Sequence, residues 1–419
     1  MKVKLKPKTA TFEAKPGEVK KCVLLFSGGL DTSVMLKWIQ ENYGCGLITL
    51  TLDVGQTTKD FKEIKNKALK LGAKKAFIID VKKEFADEYV AKAIKANALY
   101  EDAYPVSTTI ARPLQAKWAV KIAEEEGADA IAHGCSGKGN DQVRFDVAIT
   151  TLNPKLKIIA PVREWNMPRD EEIKYAQENG IPIPNDYDNP YSIDENLWGR
   201  SSECGIIEHP EKEVPKEVLV WVTDPENAPN KPEYITLEFE KGIPVTLNGK
   251  KMELWQLIMK LNKIAGKHGV GMIDHMEDRI IGLKSREFYE CPASTVILKA
   301  HKDLEKFVST IHENHFKPMI DQKWTYLAYA GLWFDPLMQA LEAFIDKMNE
   351  KVTGTVKLKL FKGTAHVVGR KSKYALYDLN LATYDKGHIF NQAASPGFIE
   401  LFGLQTKMAN QVKKNENLE

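Results

Sequence analysis

The chain has 419 residues, of which 43% are hydrophobic and 28% charged, the profile of a water-soluble globular protein long enough for two domains. Its formal net charge is only +2, so no whole-molecule field draws it to nucleic acid or to a membrane, and neither is expected as a partner. Five cysteines (Cys22, Cys45, Cys135, Cys204 and Cys291) stand singly with no CxxC pair. That spacing argues against a zinc knuckle or a disulfide framework and for reduced thiols in a cytoplasmic protein. No apolar run approaches the roughly 18 residues of a membrane span, and the lysine-rich start lacks a signal-peptide core.

In chain order, residues 1–21 alternate lysine with apolar residues and carry two prolines; they read either as a solvated extension or as an added edge strand. CVLLF (22–26) reads as a buried strand. A helix over 31–43 follows, with Met35, Trp38 and Ile39 on one face and Gly44 as its stop. GLITLTLDV (46–54) is a second strand. Phe61, Ile64, Ala68 and Leu71 then fall at helical spacing before Gly72. AFIID (76–80) is a third strand, followed by a helix over 83–100 and another that Pro113 opens, with Leu114, Trp118 and Ile122 four apart. Strands over 128–134 and 157–162 complete an alternation that predicts a doubly wound parallel sheet.

Beyond residue 188 the alternation stops at a Pro/Asn/Asp-rich boundary, PIPNDYDNPYS. An α+β region follows, with strands in ITLEFEKGIPVTLNGK (Asn248-Gly249 signalling a hairpin) and in TVKLKLFKGTAHVVG. Helices are expected near 252–265 and 326–350, and an amphipathic helical tail from 398. The organisation expected is thus an extension (1–21), a nucleotide-binding domain (22–188), a second domain (189–397) and a tail (398–419).

Ligands of doubly wound sheets sit beyond the carboxyl ends of the strands, where two polar, glycine-rich stretches begin. The first, SGGLDTS (27–33), lacks the lysine of a Walker A loop. Gly28 and Gly29 nevertheless let the backbone close on a ligand, Ser27, Thr32 and Ser33 supply hydroxyls, and the next helix presents its positive end. Asp31 has the chemistry to hold a magnesium ion beside phosphate oxygens. The plain alternative is a tight strand–helix turn whose hydroxyls cap the helix. The second stretch, HGCSGKGNDQVRF (133–145), joins three glycines to Lys138, Asn140, Asp141 and Arg144. This mixture suits a zwitterion, cations meeting a carboxylate and an acid meeting an ammonium.

SGGLDTS matches the pyrophosphate loop of ATP pyrophosphatases, and the longer strings resemble the argininosuccinate synthase family. The resemblance runs through LDVGQ (52–56), YPVSTTIARP (104–113), HGCSGKGNDQVRFD (133–146), NPYSIDENLWGRSSECGIIE (189–208), KHGVGMIDHMEDRIIGLKSREFYECP (267–292) and PGFIELFGL (396–404). It implies an α/β fold, with a doubly wound, adenine nucleotide alpha-hydrolase-like sheet, an α+β synthetase/multimerisation domain and a C-terminal helical arm in a homotetramer. It also implies that ATP contacts fall on Leu25, Phe26, Ser27, Gly28, Gly29, Leu30, Asp31, Thr32, Ser33, Leu52, Arg112 and Gly134. Citrulline falls on Tyr104, Thr109, Asn140, Arg144, Ser192, Ser201, Glu277 and Tyr289, and aspartate on Ser136, Asn140 and Asp141. Departures from the family's usual residues are Ser136 for Thr, Ser107 for Gly, Leu52 for a smaller residue, Met272 for Arg, Asp278 for Asn and Glu287 for Gly.

The implied reaction uses MgATP to activate citrulline as citrullyl-AMP, which aspartate then attacks, in arginine biosynthesis. No side chain need act as a nucleophile, in keeping with the lack of any Cys/His or Ser/His/Asp constellation. Among rivals, a tRNA thiolase would want a reactive cysteine pair and a basic face, and a glutamine-dependent amidating synthetase would want a glutaminase domain. A non-catalytic nucleotide-binding protein is the remaining alternative.

Overall fold

The computed structural model describes residues 8–57, 60–165, 167–183, 190–385 and 389–416. The expected boundary around 188 lies outside them. The described chain divides into two compact units, Met1–Tyr374 and Ala375–Glu419.

A five-stranded sheet is built from β1 (Lys21–Leu25), β2 (Gly46–Asp53), β3 (Lys75–Asp80), β4 (Ala130–Ala132) and β5 (Lys157–Ile159). Its order is β3-β2-β1-β4-β5, all parallel. Because helices cover both faces, the strands are apolar on both sides. Cys22 and Leu24 enter one core with Val34, Met35 and Trp38, while Val23, Ile48 and Leu50 enter the other with Ala111 and Leu114. The strand order reverses between β1 and β4, the place where such sheets bind ligands, and the loops after these two strands are the two glycine-rich stretches.

The N-terminal extension takes the edge-strand reading over a short length. Glu13 bridges Ile158 in parallel, with Ala14 N–H donating to Ile158 O at 2.9 Å and Ile158 N–H to Phe12 O at 2.9 Å.

A second, antiparallel sheet comprises β6 (Ser192–Asn196), β7 (Gly199–Glu203), β11 (Met272–Asp278) and β12 (Lys284–Glu290) in the order β11-β12-β7-β6. The third holds β8 (Glu233–Glu240), β9 (Ile243–Leu247), β10 (Lys250–Lys251), β13 (Gly354–Phe361) and β14 (Thr364–Lys371) in the order β10-β9-β8-β13-β14. The Asn248-Gly249 hairpin forms as expected, both residues at positive φ (53° and 74°), as a primed turn requires.

Several helix expectations need correction. The helix after β3 runs only over 82–95, with a π-helical turn at Phe85–Val90. The helix expected to start at Pro113 begins at Ala111. The single helix expected over 326–350 is two, Ile311–Tyr329 and Pro336–Asn349. Gly331 at φ +80° and Pro336 break the run, since glycine tolerates that backbone and proline starts rather than continues a helix. The helix Pro292–Val308 was not anticipated. In the second unit, helices Ser395–Phe402 and Leu404–Glu416 fall on the expected tail.

Candidate active site

The loop after β1 turns at Gly28, whose φ of +82° favours glycine and where an added Cβ would lie 2.9 Å from Ile64 Cγ1. The loop is then knitted internally. Ser33 Oγ donates to Gly29 O at 2.6 Å, and Ser27 Oγ and Thr32 Oγ1 share a hydrogen bond of 3.1 Å. The helix Leu30–Tyr43 starts directly behind, its cap residue Gly29 providing no side-chain acceptor. Its first amides therefore face the loop as anion donors. Lys67, on the helix Phe61–Lys70, reaches over and donates to Gly28 O at 2.9 Å.

The loop after β4 is held from behind by His133. Cys135 N–H donates to His133 Nδ1 at 3.2 Å, so Nδ1 is the acceptor and Nε2 carries the proton it gives to Asp146 Oδ1 at 2.7 Å. Arg163 holds the other Asp146 oxygen at 2.6 Å. At the front of the loop, Asp141 joins two arginines, Arg112 Nη2 at 2.6 Å and Arg144 Nη1 at 2.8 Å. Burial opposes its ionisation, yet the two guanidinium groups prevail and hold it well below the usual carboxylate range. Arg144 also donates through Nε to Tyr329 O at 2.9 Å. That approach needs Gly331, where a Cβ would lie 2.8 Å from Arg144 Cα.

The four-stranded sheet supplies the opposite wall through its register. Ser192 pairs with Glu203, Asp194 with Ser201, and Ser201 in turn with Tyr289. Because alternate residues share a face, Ser192, Asp194, Ser201, Glu203, Glu287, Tyr289 and Glu277 all line one cavity. Tyr289 hydroxyl lies 2.7 Å from Glu277 Oε2 and 2.9 Å from Glu287 Oε2. It has a single proton to give, so one of these contacts calls for a protonated carboxyl. Glu287 fits that part: burial and then the Glu277 carboxylate push it up to about 7. Glu203 is raised to about 7 by burial and by Glu287, although Arg279 donates to it at 2.6 Å. Tyr329 donates to Glu277 Oε1 at 2.8 Å and accepts from Asn140 Nδ2 at 2.8 Å. The ring of Tyr104 stacks on Tyr289 at 4.1 Å between centroids.

Two cavities result. The first, about 370 Å³, contains Asp31, Tyr104, Gly134, Ser136, Asn140, Asp141, Arg144, Ser192, Ser201, Glu277 and Tyr289 among its lining residues. Seven carboxyl side chains against two arginines line it, a balance suited to ammonium groups. The second, about 390 Å³, is lined by Leu25, Phe26, Ser27, Thr32, Leu52 and Arg112, with apolar Leu50, Val54, Ile64, Phe145 and Ile193; it suits a flat apolar ring with a polar end. Asp194 lines both, and Arg112 hydrogen-bonds to it at their boundary.

The remaining residues named from the sequence stand around this frame. Gly28, Gly29, Leu30 and Ser33 form the turn and first helical residues behind the lining. Thr109 is buried beneath Tyr104, its N–H 3.3 Å from the Tyr104 hydroxyl, while Thr108 reaches the cavity surface. Asp194, Glu203, Arg279, Glu172, Thr108, Gln56 and Gln115 also line the cavities and were not singled out from the sequence. Asp194 and Glu203 had a signal, each lying two residues along a strand from a named serine (Ser192 and Ser201).

Comparison with known proteins places these loops in a family. A family model described as arginosuccinate synthase N-terminal HUP domain matches residues 21–182, and one described as arginosuccinate synthase C-terminal domain matches 191–409. The chain is 57% identical to the argininosuccinate synthase of Pyrococcus furiosus, over 92% of this chain and 93% of that one. It is 56% identical to that of Bacillus mycoides and 53% identical to that of Symbiobacterium thermophilum, each over 95% of this chain and 99% of the relative.

Proposed function

The chain belongs to the argininosuccinate synthase family, and from that membership we propose where each substrate lies. The family's reaction is a ligation in arginine biosynthesis. Citrulline's ureido oxygen attacks the α-phosphorus of ATP, giving citrullyl-AMP and pyrophosphate. The α-amine of aspartate then attacks the activated carbon, expelling AMP and leaving argininosuccinate.

ATP lies in the apolar cavity, its base against Leu25, Phe26 and Leu52, with its β- and γ-phosphates in the Ser27–Ser33 loop, Arg112 beside the α-phosphate and Gly134 nearby. Citrulline occupies the acidic cavity, contacted by Tyr104, Thr109, Asn140, Arg144, Ser192, Ser201, Glu277 and Tyr289. Aspartate takes Ser136, Asn140 and Asp141 beside it. The observation carrying this assignment is that the cavities meet at Arg112 and Asp194, so the ureido oxygen and the α-phosphorus can be held face to face. Alignment of this kind offsets about 7–11 kcal/mol of barrier, and the loop amides with Arg112 stabilise the charge that builds on the departing pyrophosphate.

Magnesium accompanies ATP in this reading. Asp31, in the first helical turn behind the loop and 59% exposed at its side chain, has the chemistry and access for it. A bound Mg²⁺ shares the charge of the phosphate oxygens.

The domain roles follow the same reading, nucleotide binding in 22–188, synthetase and multimerisation functions in 189–397, and a helical arm in 398–419. A homotetramer is supported by the apolar side chains of the second unit. Phe398, Ile399, Leu401 and Phe402 are all more than 60% exposed, more apolar surface than a lone helix leaves in water. The enzyme acts on small molecules in the cytoplasm, without nucleic acid or membrane. No described helix is long and apolar enough to cross a bilayer.

The test is pyrophosphate release from MgATP with citrulline and aspartate, each omitted in turn. Release that depends on citrulline, with AMP and argininosuccinate appearing only on adding aspartate, is the expected result. No release under any combination overturns the assignment.

A further inference from the structure

Beside the glycine-rich loop, on the rim of the acidic cavity, lies a buried carboxylate that the substrate contacts leave unused. Glu172, on the helix Arg169–Glu178, is only 7% exposed, and its Oε1 has no hydrogen-bond partner. Its other oxygen lies 3.8 Å from Arg169 Nη1, outside hydrogen-bonding reach. A buried carboxylate without donors is costly: burial and the neighbouring Asp31 carboxylate push Glu172 up to about 7, so it keeps its proton unless a cation meets it. The walls nearest in sequence, Val162, Trp165 and Met167, bring no charge of their own. Among the described residues, the one other carboxylate at this end of the cavity is Asp31, and Arg169 Nη1 holds it at 2.8 Å.

We propose that Glu172 and Asp31 together hold the divalent cation that accompanies the nucleotide. Asp31 approaches from the helix behind the pyrophosphate loop and Glu172 from the helix facing it. Magnesium commonly takes one or two carboxylates and completes its shell with substrate phosphates and water. Two carboxylates next to the loop assigned to the β- and γ-phosphates meet that description. Arg169 is no obstacle: half exposed, as is its partner, it makes the kind of surface ion pair worth about 0–1 kcal/mol. A divalent cation held by Asp31 and Glu172 would compete with that pair for the Asp31 carboxylate. Glu172 is a ligand in this proposal.

The inference rests on the assignment of the Ser27–Ser33 loop to pyrophosphate, and the experiment separates the two. Mn²⁺ is titrated into the full-length protein with saturating inorganic pyrophosphate, and the bound ion is followed by electron paramagnetic resonance. Glu172→Gln keeps the side-chain volume while removing the charge, and is expected to weaken Mn²⁺ binding at least tenfold and to change the spectrum of the bound ion. Glu172→Asp guards against a folding defect; it is expected to bind Mn²⁺ more weakly than the parent and more tightly than Glu172→Gln. Mn²⁺ affinity and spectrum unchanged in both variants overturn the Glu172 assignment and leave the loop assignment standing. Failure of pyrophosphate to alter Mn²⁺ binding in the parent protein overturns both.

Discussion

Arg112 donates a hydrogen bond to Asp194 at the boundary of the two cavities. The same guanidinium reaches Asp141 at 2.6 Å and Gln115 at 3.0 Å. It is thus aimed by three acceptors at the point where, in the proposed arrangement, the α-phosphorus and the ureido oxygen meet. A lysine cannot reproduce that fork. Arg112→Lys is expected to lower kcat/KM for ATP by about 10²–10³-fold, the scale of losing one donor to developing charge, with the thermal unfolding midpoint little changed. Steady-state kinetics with ATP varied provide the check, and an unaltered kcat/KM would remove Arg112 from the phosphates.

The acidic sheet face predicts a pH dependence. Glu203 and Glu287 are each raised to about 7, first by burial and then by a neighbouring carboxylate. Because the folded values exceed the ordinary one, the folded chain holds protons there that the unfolded chain has lost. The stability they contribute is complete below the ordinary carboxylate value and disappears as the pH rises through about 7. With citrulline's α-ammonium on this face, as proposed, binding favours the ionised carboxyls and moves the other way. KM for citrulline is expected to fall by up to about tenfold between pH 6 and 8, following ionisation of a group near 7. Glu287→Gln should flatten that profile; a profile as steep as the parent's would exclude Glu287 as its source.

A stability prediction arises where the helices Pro292–Val308 and Ile311–Tyr329 meet the end of the helical segment 82–95. Lys317 is 2% exposed and contacts Glu305 at 2.7 Å, Asp321 at 2.8 Å and Lys95 O at 2.9 Å. Removing it strands two buried carboxylates, a loss of about 3–5 kcal/mol when one partner of a buried pair is deleted. Lys317→Met is therefore expected to shift the urea midpoint down strongly, whereas Lys317→Met combined with Glu305→Gln and Asp321→Asn recovers part of the loss. A midpoint equal to the parent's would show that the cluster carries no net stability.

What the sequence made legible follows from the range of the forces involved. The two loops are local features: glycines and hydroxyls after an apolar strand announce themselves within a dozen residues, and Ser27–Ser33 and 133–146 were found that way. Ser192, Ser201, Glu277 and Tyr289 emerged only through resemblance, because their convergence depends on the pairing of β6, β7, β11 and β12. Arg279 was out of reach for the same reason, since it enters the site by bonding Glu203 across strands. Glu172 is placed by the packing of its helix against Leu30–Tyr43, which no spacing encodes. The helices over 292–329 were hidden by their own chemistry. Pro318 reads as a breaker, while Glu305, Lys317 and Asp321 read as surface, although all three are buried together.

Lys67 carries the last prediction. Its ammonium is half buried, and among the described residues its one hydrogen-bond partner is the neutral carbonyl of Gly28, at 2.9 Å. Burial lowers its pKa against the opposing pull of Glu63, so an anion beside it favours its charged form. An anion in the adjoining loop is so placed, and a charge-assisted hydrogen bond of this kind contributes about 1.5–3 kcal/mol. Lys67→Met is expected to weaken pyrophosphate product inhibition about tenfold or more, each 1.4 kcal/mol being a factor of ten. KM for citrulline should stay unchanged, because the proposed citrulline site is the other cavity. Lys67→Arg, which keeps the charge, should restore most of the inhibition. Inhibition by pyrophosphate that is equally strong in Lys67→Met would mean that the loop amides and the helix terminus bind the anion without this ammonium.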